Sequence, residues 1–168
     1  QILSWAEFTY KIAIDELDHS LSVSDVPIAG IRALFQKGSR YGNYSISELF
    51  SIRNQFGDIE KRAIGSLLHT IQDSYSLGHT ERHIDADGNK THIIEFYNYF
   101  NQEHIHHGIH DAFPKEVKYI RNLGGTNDAL LEKIDGGQEA RHQGAALLKL
   151  MLEKAGWESK VKPFLLTV

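Results

Sequence analysis

The chain has no cysteine, which excludes a disulfide framework and a thiolate zinc site and leaves imidazole and carboxylate as the side chains that could hold a metal. It has no apolar run of the roughly 18 residues that a membrane span requires. No initiator methionine or signal peptide heads it, so we read it as a processed form or an excerpt. A basic excess is also missing. The formal net charge of −4 supplies no general attraction for a polyanion, which argues against binding nucleic acid by backbone neutralisation. Only three prolines occur, and no Pro/Gly/Ser-rich stretch divides the 168 residues, so a single domain is expected.

Apolar residues recur mostly at three- and four-residue spacing, which predicts an all-α fold: a multi-helix bundle with a metal site between helices. Ser4, with Glu7 three residues on, reads as the cap of a first helix running to about Leu21. Pro27 suits the first turn of a second helix ending near Gly38. Ser45 or Ser47 opens a short helix to about Phe56, and Asp58 caps a helix ending near Leu77–Gly78. Residues 80–90 read as a polar loop. A long helix is expected from about Thr91 to Asp111, and an amphipathic one from Gln138 to Ala155.

What the chain has in abundance is histidine, ten in all, most of them between positions 69 and 110. Two clusters stand out, His69-Thr-Ile-Gln-Asp73-Ser-Tyr-Ser-Leu-Gly-His79 and His104-Ile-His106-His107-Gly-Ile-His110-Asp111. Each holds a His and an Asp four residues apart, one turn apart on the same face of a helix. Imidazole nitrogen and carboxylate oxygen suit zinc and related divalent ions. On the expected helix from Thr91, the apolar stripe Ile93, Tyr97, Phe100 continues into His104, His107 and Asp111, which therefore face the core. Buried polar groups there are costly unless paired or bound to something. On the expected 59–77 helix the apolar face is Ile64, Leu67, Leu68, Ile71 and Tyr75, which by itself puts His69 and Asp73 on the solvent side. His83 and His92 read as solvated, and His142, among small residues of the last long helix, could face a site.

The string His69-x3-Asp73-x5-His79 resembles the signature of the zinc-dependent phospholipase C and single-strand nuclease superfamily. That resemblance implies a helical protein holding two or three zinc ions that hydrolyses phosphodiesters. It implies Asp73 as a bridging ligand, His69 as its companion and His79 as ligand to a further ion, with His19 as the one candidate for the first-helix ligand. The family also uses an N-terminal Trp, whereas Trp5 is internal here. The family's later His-x3-Glu is best replaced by His107-x3-Asp111. The expected metal set is thus His19, His69, Asp73, His79, His104, His107, Asp111 and His142. Metals so held would polarise phosphoryl oxygens and activate water. Asp111, Asp15 or Glu103 could manage the water's proton, and Tyr75, Tyr97 and Phe100 could wall the pocket. Phospholipid is favoured over nucleic acid as substrate, with membrane-surface contact and a secreted or exported location implied by the resemblance. Two rivals stand beside this reading. An HD-type metallophosphohydrolase would use adjacent His110-Asp111 with Asp128 or Asp135, and a non-enzymatic helical interaction domain would use a structural metal.

Overall fold

A computed structural model describes residues 1–51, 58–75, 79–86, 90–96 and 137–168. The chain groups into two compact units, Gln1–Leu68 with Lys149–Pro163 and His69–Leu148 with Phe164–Val168. In order, the elements are α1 (Ile2–Ala13), a 3-10 turn (Val23–Asp25), α2 (Ala29–Leu34), α3 (Ile46–Phe50), α4 (Ile59–Ser74), β1 (Thr80–Ile84), β2 (Lys90–Phe96), α5 (Gly137–Leu152), a π-helical turn (Trp157–Val161) and α6 (Lys162–Leu165). None of the described helices is long and apolar enough to cross a membrane.

The first unit is built on α1, whose Phe8, Tyr10 and Ile12 are wholly buried. Phe8 and Ile12 join Leu17, Val23, Val26, Ile28, Ile31, Ile46 and Ala63 in one apolar core. Trp5 packs at its edge, stacked on Phe50 with ring centroids 6.1 Å apart, and its Nε1 donates to Ser66 Oγ at 3.1 Å. Trp5 is therefore an internal packing residue within a helix. The Tyr10 hydroxyl donates to the Ala155 and Leu150 carbonyls at 2.8 and 3.1 Å, tying α1 to the last turn of α5 and the residues after it. The helices α1 and α2 approach so closely that a Cβ on Gly30 would lie 2.6 Å from the Ser4 Cβ, so this position requires glycine.

The first helix stops eight residues short of the expected end, and Asp15 explains why. Asp15 adopts a left-handed backbone (φ 60°), its N–H bonds to the Ile12 carbonyl at 3.0 Å, and the Glu16 N–H bonds to the Lys11 carbonyl at 2.8 Å. This is a Schellman closure with Asp where Gly is usual. Asp18 Oδ1 then accepts from both the N–H and the hydroxyl of Ser20, a local turn that competes with helix. The second helix is also shorter than expected. Ser45, not Ser47, caps α3, in a reciprocal capping box with Glu48. Asp58 accepts from the Lys61 N–H at 3.1 Å at the start of α4, as expected.

The all-α expectation is overturned by the second unit, where β1 and β2 form a two-stranded antiparallel sheet; the described residues are mostly helical but not purely so. Thr80 stands opposite Phe96, Glu81 opposite Glu95, and Arg82 opposite Ile93. The expected loop at 80–84 and the expected helical start at 91–96 are both strands. Thr91, Ile93 and Ile94 are β-branched, with restricted χ1 that fits a strand well, and the neighbouring segment supplies the pairing partner that a single-segment helical reading leaves out. The register shifts on both sides of Arg82. Such bulges re-aim a side chain. Here the side chain is Arg82, only 8% exposed.

Candidate metal centre

Helix α4 carries the first half of the His-x3-Asp-x5-His string. Its Ala63, Ile64, Leu67, Ile71 and Tyr75 side are buried, while His69 is largely exposed and Asp73 is partly covered. The one-turn spacing brings His69 Nε2 within 3.4 Å of Asp73 Oδ2. Two ligand atoms on a tetrahedral ion with bonds of about 2.1 Å stand roughly 3.4 Å apart, so the separation of the pair is that of a shared ion as well as of a plain ion pair. His79 lies partly buried just before β1. His142 is exposed on α5.

The end of α4 is held by a group that spacing did not reveal. Arg82 Nε donates to the Ser74 carbonyl at 2.6 Å, one NH group to Ser74 Oγ at 2.9 Å and the other to the Thr91 carbonyl at 2.7 Å. Its guanidinium lies 4.2 Å from the Tyr75 ring centroid. Burial pulls this guanidinium below the usual arginine range, with Tyr75 opposing the shift. A cation on the last carbonyls of a helix complements its dipole. Arg82 thus fixes Ser74, the residue next to Asp73, to the hairpin that follows His79. Tyr75, expected as a pocket wall, is 8% exposed and is the platform for Arg82. The Arg82 signal was present only as a charged residue in a β-compatible run, and it became readable once the strand was seen.

The first unit brings His19 into company that the sequence left scattered. One ligand atom each from Asp15, His19 and Glu60 lie within 4.8 Å of one another. His19 Nδ1 is 3.8 Å from Glu60 Oε1, too long for a hydrogen bond. Its Nε2 is buried and has no hydrogen-bond partner among the described residues. The His19 backbone is anchored by its carbonyl, which accepts from the Ser47 N–H at 3.0 Å. The sequence marks Asp15 only as a free acid and does not single out Glu60. The available signal was Asp15-x3-His19, the spacing of His69-x3-Asp73 in reverse.

On the hairpin, the exposed His83 and His92 rings stack with centroids 5.1 Å apart, and Thr91 Oγ1 lies 3.0 Å from His83 Nδ1. Both are solvated, as expected. His104, His107, Asp111, His110, Glu103, Tyr97, Phe100, Asp128 and Asp135 lie outside the described residues. The helical wheel that set the face of His104, His107 and Asp111 began at Ile93, which is in β2, so that argument loses its first turn. Comparison with known protein families, curated proteins and solved structures finds no match to this chain.

Proposed function

We propose that this chain is a metal-dependent phosphodiester hydrolase with phospholipase C-like chemistry, favouring a phospholipid substrate met at a membrane surface outside the cytoplasm. The observation that carries the reading is the His69–Asp73 pair, 3.4 Å apart on one face of α4 and followed by His79. His69, Asp73 and His79 would be the residues that hold the ions. Bound divalent ions would polarise the phosphoryl oxygens and lower the pKa of an attacking water, so no protein nucleophile is needed. Asp73 is held next to a fixed anchor, Ser74 clamped by Arg82, and His79 precedes Thr80, whose hydroxyl donates to the same Ser74 carbonyl. The exposure of His69 keeps the pair within reach of a bulky ester.

The test is elemental analysis of the natively purified chain, with turnover of p-nitrophenyl phosphorylcholine and bis(p-nitrophenyl) phosphate. Bound zinc, loss of zinc and turnover in Asp73→Ala, and retention of both in His110→Ala are expected. A protein without metal after zinc supplementation, or turnover that survives Asp73→Ala, sinks the reading. Loss confined to His110→Ala would point to the HD-type chemistry instead.

A further inference from the structure

We propose that Asp15, His19 and Glu60 form a divalent-metal site of their own, with one imidazole and two carboxylates as its protein ligands and zinc as the probe ion. The inference shares His19 with the ligand set that the resemblance implies, but it does not rest on the hydrolase reading, because the grouping of His19 with Asp15 and Glu60 is a matter of their own geometry.

Three observations converge on it. The ligand atoms of the three residues all lie within 4.8 Å of one another, and the 3.8 Å between His19 Nδ1 and Glu60 Oε1 is close to the roughly 3.4 Å of two ligands around a tetrahedral ion. Small χ rotations of the two carboxylates, both at least partly exposed, complete the approach. The second observation is the imidazole itself. His19 makes no side-chain hydrogen bond among the described residues, and its Nε2 is buried. Its Nδ1 faces Glu60 Oε1 across a gap too long for a hydrogen bond, which leaves that lone pair open to an ion held between the two atoms. The third is charge. Two carboxylates close together repel unless a cation lies between them, and a divalent ion neutralises the pair.

The chain places these groups by separate local devices. Asp15 is set at the end of α1 by the Schellman closure, His19 by the turn at Asp18 and the Ser47 N–H, and Glu60 by the first turn of α4. Glycine would close α1 with less backbone strain than Asp15. Three protein ligands leave a coordination position for water or substrate, as in catalytic zinc sites, whereas a structural zinc is closed by four.

The experiment is calorimetric titration of the metal-stripped full chain with zinc chloride, comparing wild type, Asp15→Gly, Glu60→Gln and the double variant His69→Ala/Asp73→Asn, with circular dichroism as the fold control. Asp15→Gly should fold with an unchanged or higher Tm yet lose one zinc equivalent, or bind it more than ~100-fold more weakly. Glu60→Gln should lose the same ion. The His69/Asp73 double variant should keep it. Ring-nitrogen NMR of His19 should shift on zinc addition in wild type and not in Glu60→Gln. Full retention of that ion in either single variant overturns the site. Loss of zinc only in the His69/Asp73 double variant also overturns it, while leaving the hydrolase reading standing.

Discussion

Replacing Arg82 tests whether a single buried cation fixes the segment that carries Asp73. Arg82 is 8% exposed and makes three hydrogen bonds at 2.6–2.9 Å to Ser74 and Thr91. Hydrogen bonds from a charged donor contribute about 1.5–3 kcal/mol each, so their gross loss in Arg82→Met is about 5–9 kcal/mol. Two effects reduce it. Removing a buried charge returns a desolvation cost of several kcal/mol. The Ser74 carbonyl also keeps a partner, because Thr80 Oγ1 donates to it at 2.8 Å. A net destabilisation of about 2–4 kcal/mol remains, or a fall of about 5–15 °C in Tm for a chain of this size. Arg82→Lys keeps the charge but not the planar fork, and should recover less than half of the loss. Combining Arg82→Met with Tyr75→Leu should reveal a coupling of about 0.5–2 kcal/mol from the cation over the ring, absent when Tyr75→Phe is used instead of Leu as the second change. The assay is urea and thermal unfolding with amide exchange read on β1 and β2. If Arg82→Met lies within about 0.5 kcal/mol of wild type and leaves hairpin exchange unchanged, the clamp is not a stabilising element and the argument fails.

Two further outcomes follow from the first unit. Gly30→Ala places a methyl 2.6 Å from the Ser4 Cβ and should destabilise by about 1–3 kcal/mol despite alanine's better helix propensity; partial rescue by Ser4→Gly in a double-mutant cycle checks the cause, and additivity of the two changes would refute it. The Asp58 carboxyl is lowered from its ordinary 3.8 to about 2, first by the hydrogen bond from the Lys61 ammonium, then by the Glu60 side chain and the Lys61 N–H. A carboxyl with a depressed folded pKa contributes stability that is complete above the unfolded value and is lost as the pH falls through the folded one. The fold should therefore weaken between about pH 4 and pH 2, and Asp58→Asn should flatten that slope in urea titrations; an unchanged slope would show that the helix start does not depend on this charge.

The legible part of the fold is the part fixed by local chemistry. Asp58 with the Lys61 N–H is a side-chain cap whose partner lies within three residues, so the start of α4 can be read directly; at α3 the choice between Ser45 and Ser47 is decided by the Glu48 box, and Ser4 with Glu7 lies inside α1, whose N-cap is Gln1. The buried face of α4 follows from its own periodicity, which is why Ile64, Leu67, Ile71 and Tyr75 are where their spacing puts them. The hairpin was illegible for the opposite reason. In Thr91-His-Ile-Ile the apolar residues fit a helical wheel as well as a strand, and what decides between them is the partner segment Thr80–Ile84, whose own pattern is broken by a bulge on either side of Arg82. A partner lost from view on one strand hides the other.

The site divides along the same line, and Asp15 shows where the division comes from. His69 and Asp73 share one helix, so a four-residue spacing is enough to bring them together. Asp15, His19 and Glu60 meet only because α1 ends where it does. A helix continued to Leu21 would put Asp15 and His19 on one face of α1, and Glu60 would have no reason to be near them. The left-handed turn at Asp15 breaks that arrangement and delivers the carboxylate and the imidazole to a loop instead. Spacing arguments assume that the element is continuous, and here the residue that ends the element is itself one of the clustered groups. Where an acidic residue occupies the left-handed position at a helix end that glycine would fill with less strain, its side chain is the first place to look for a role.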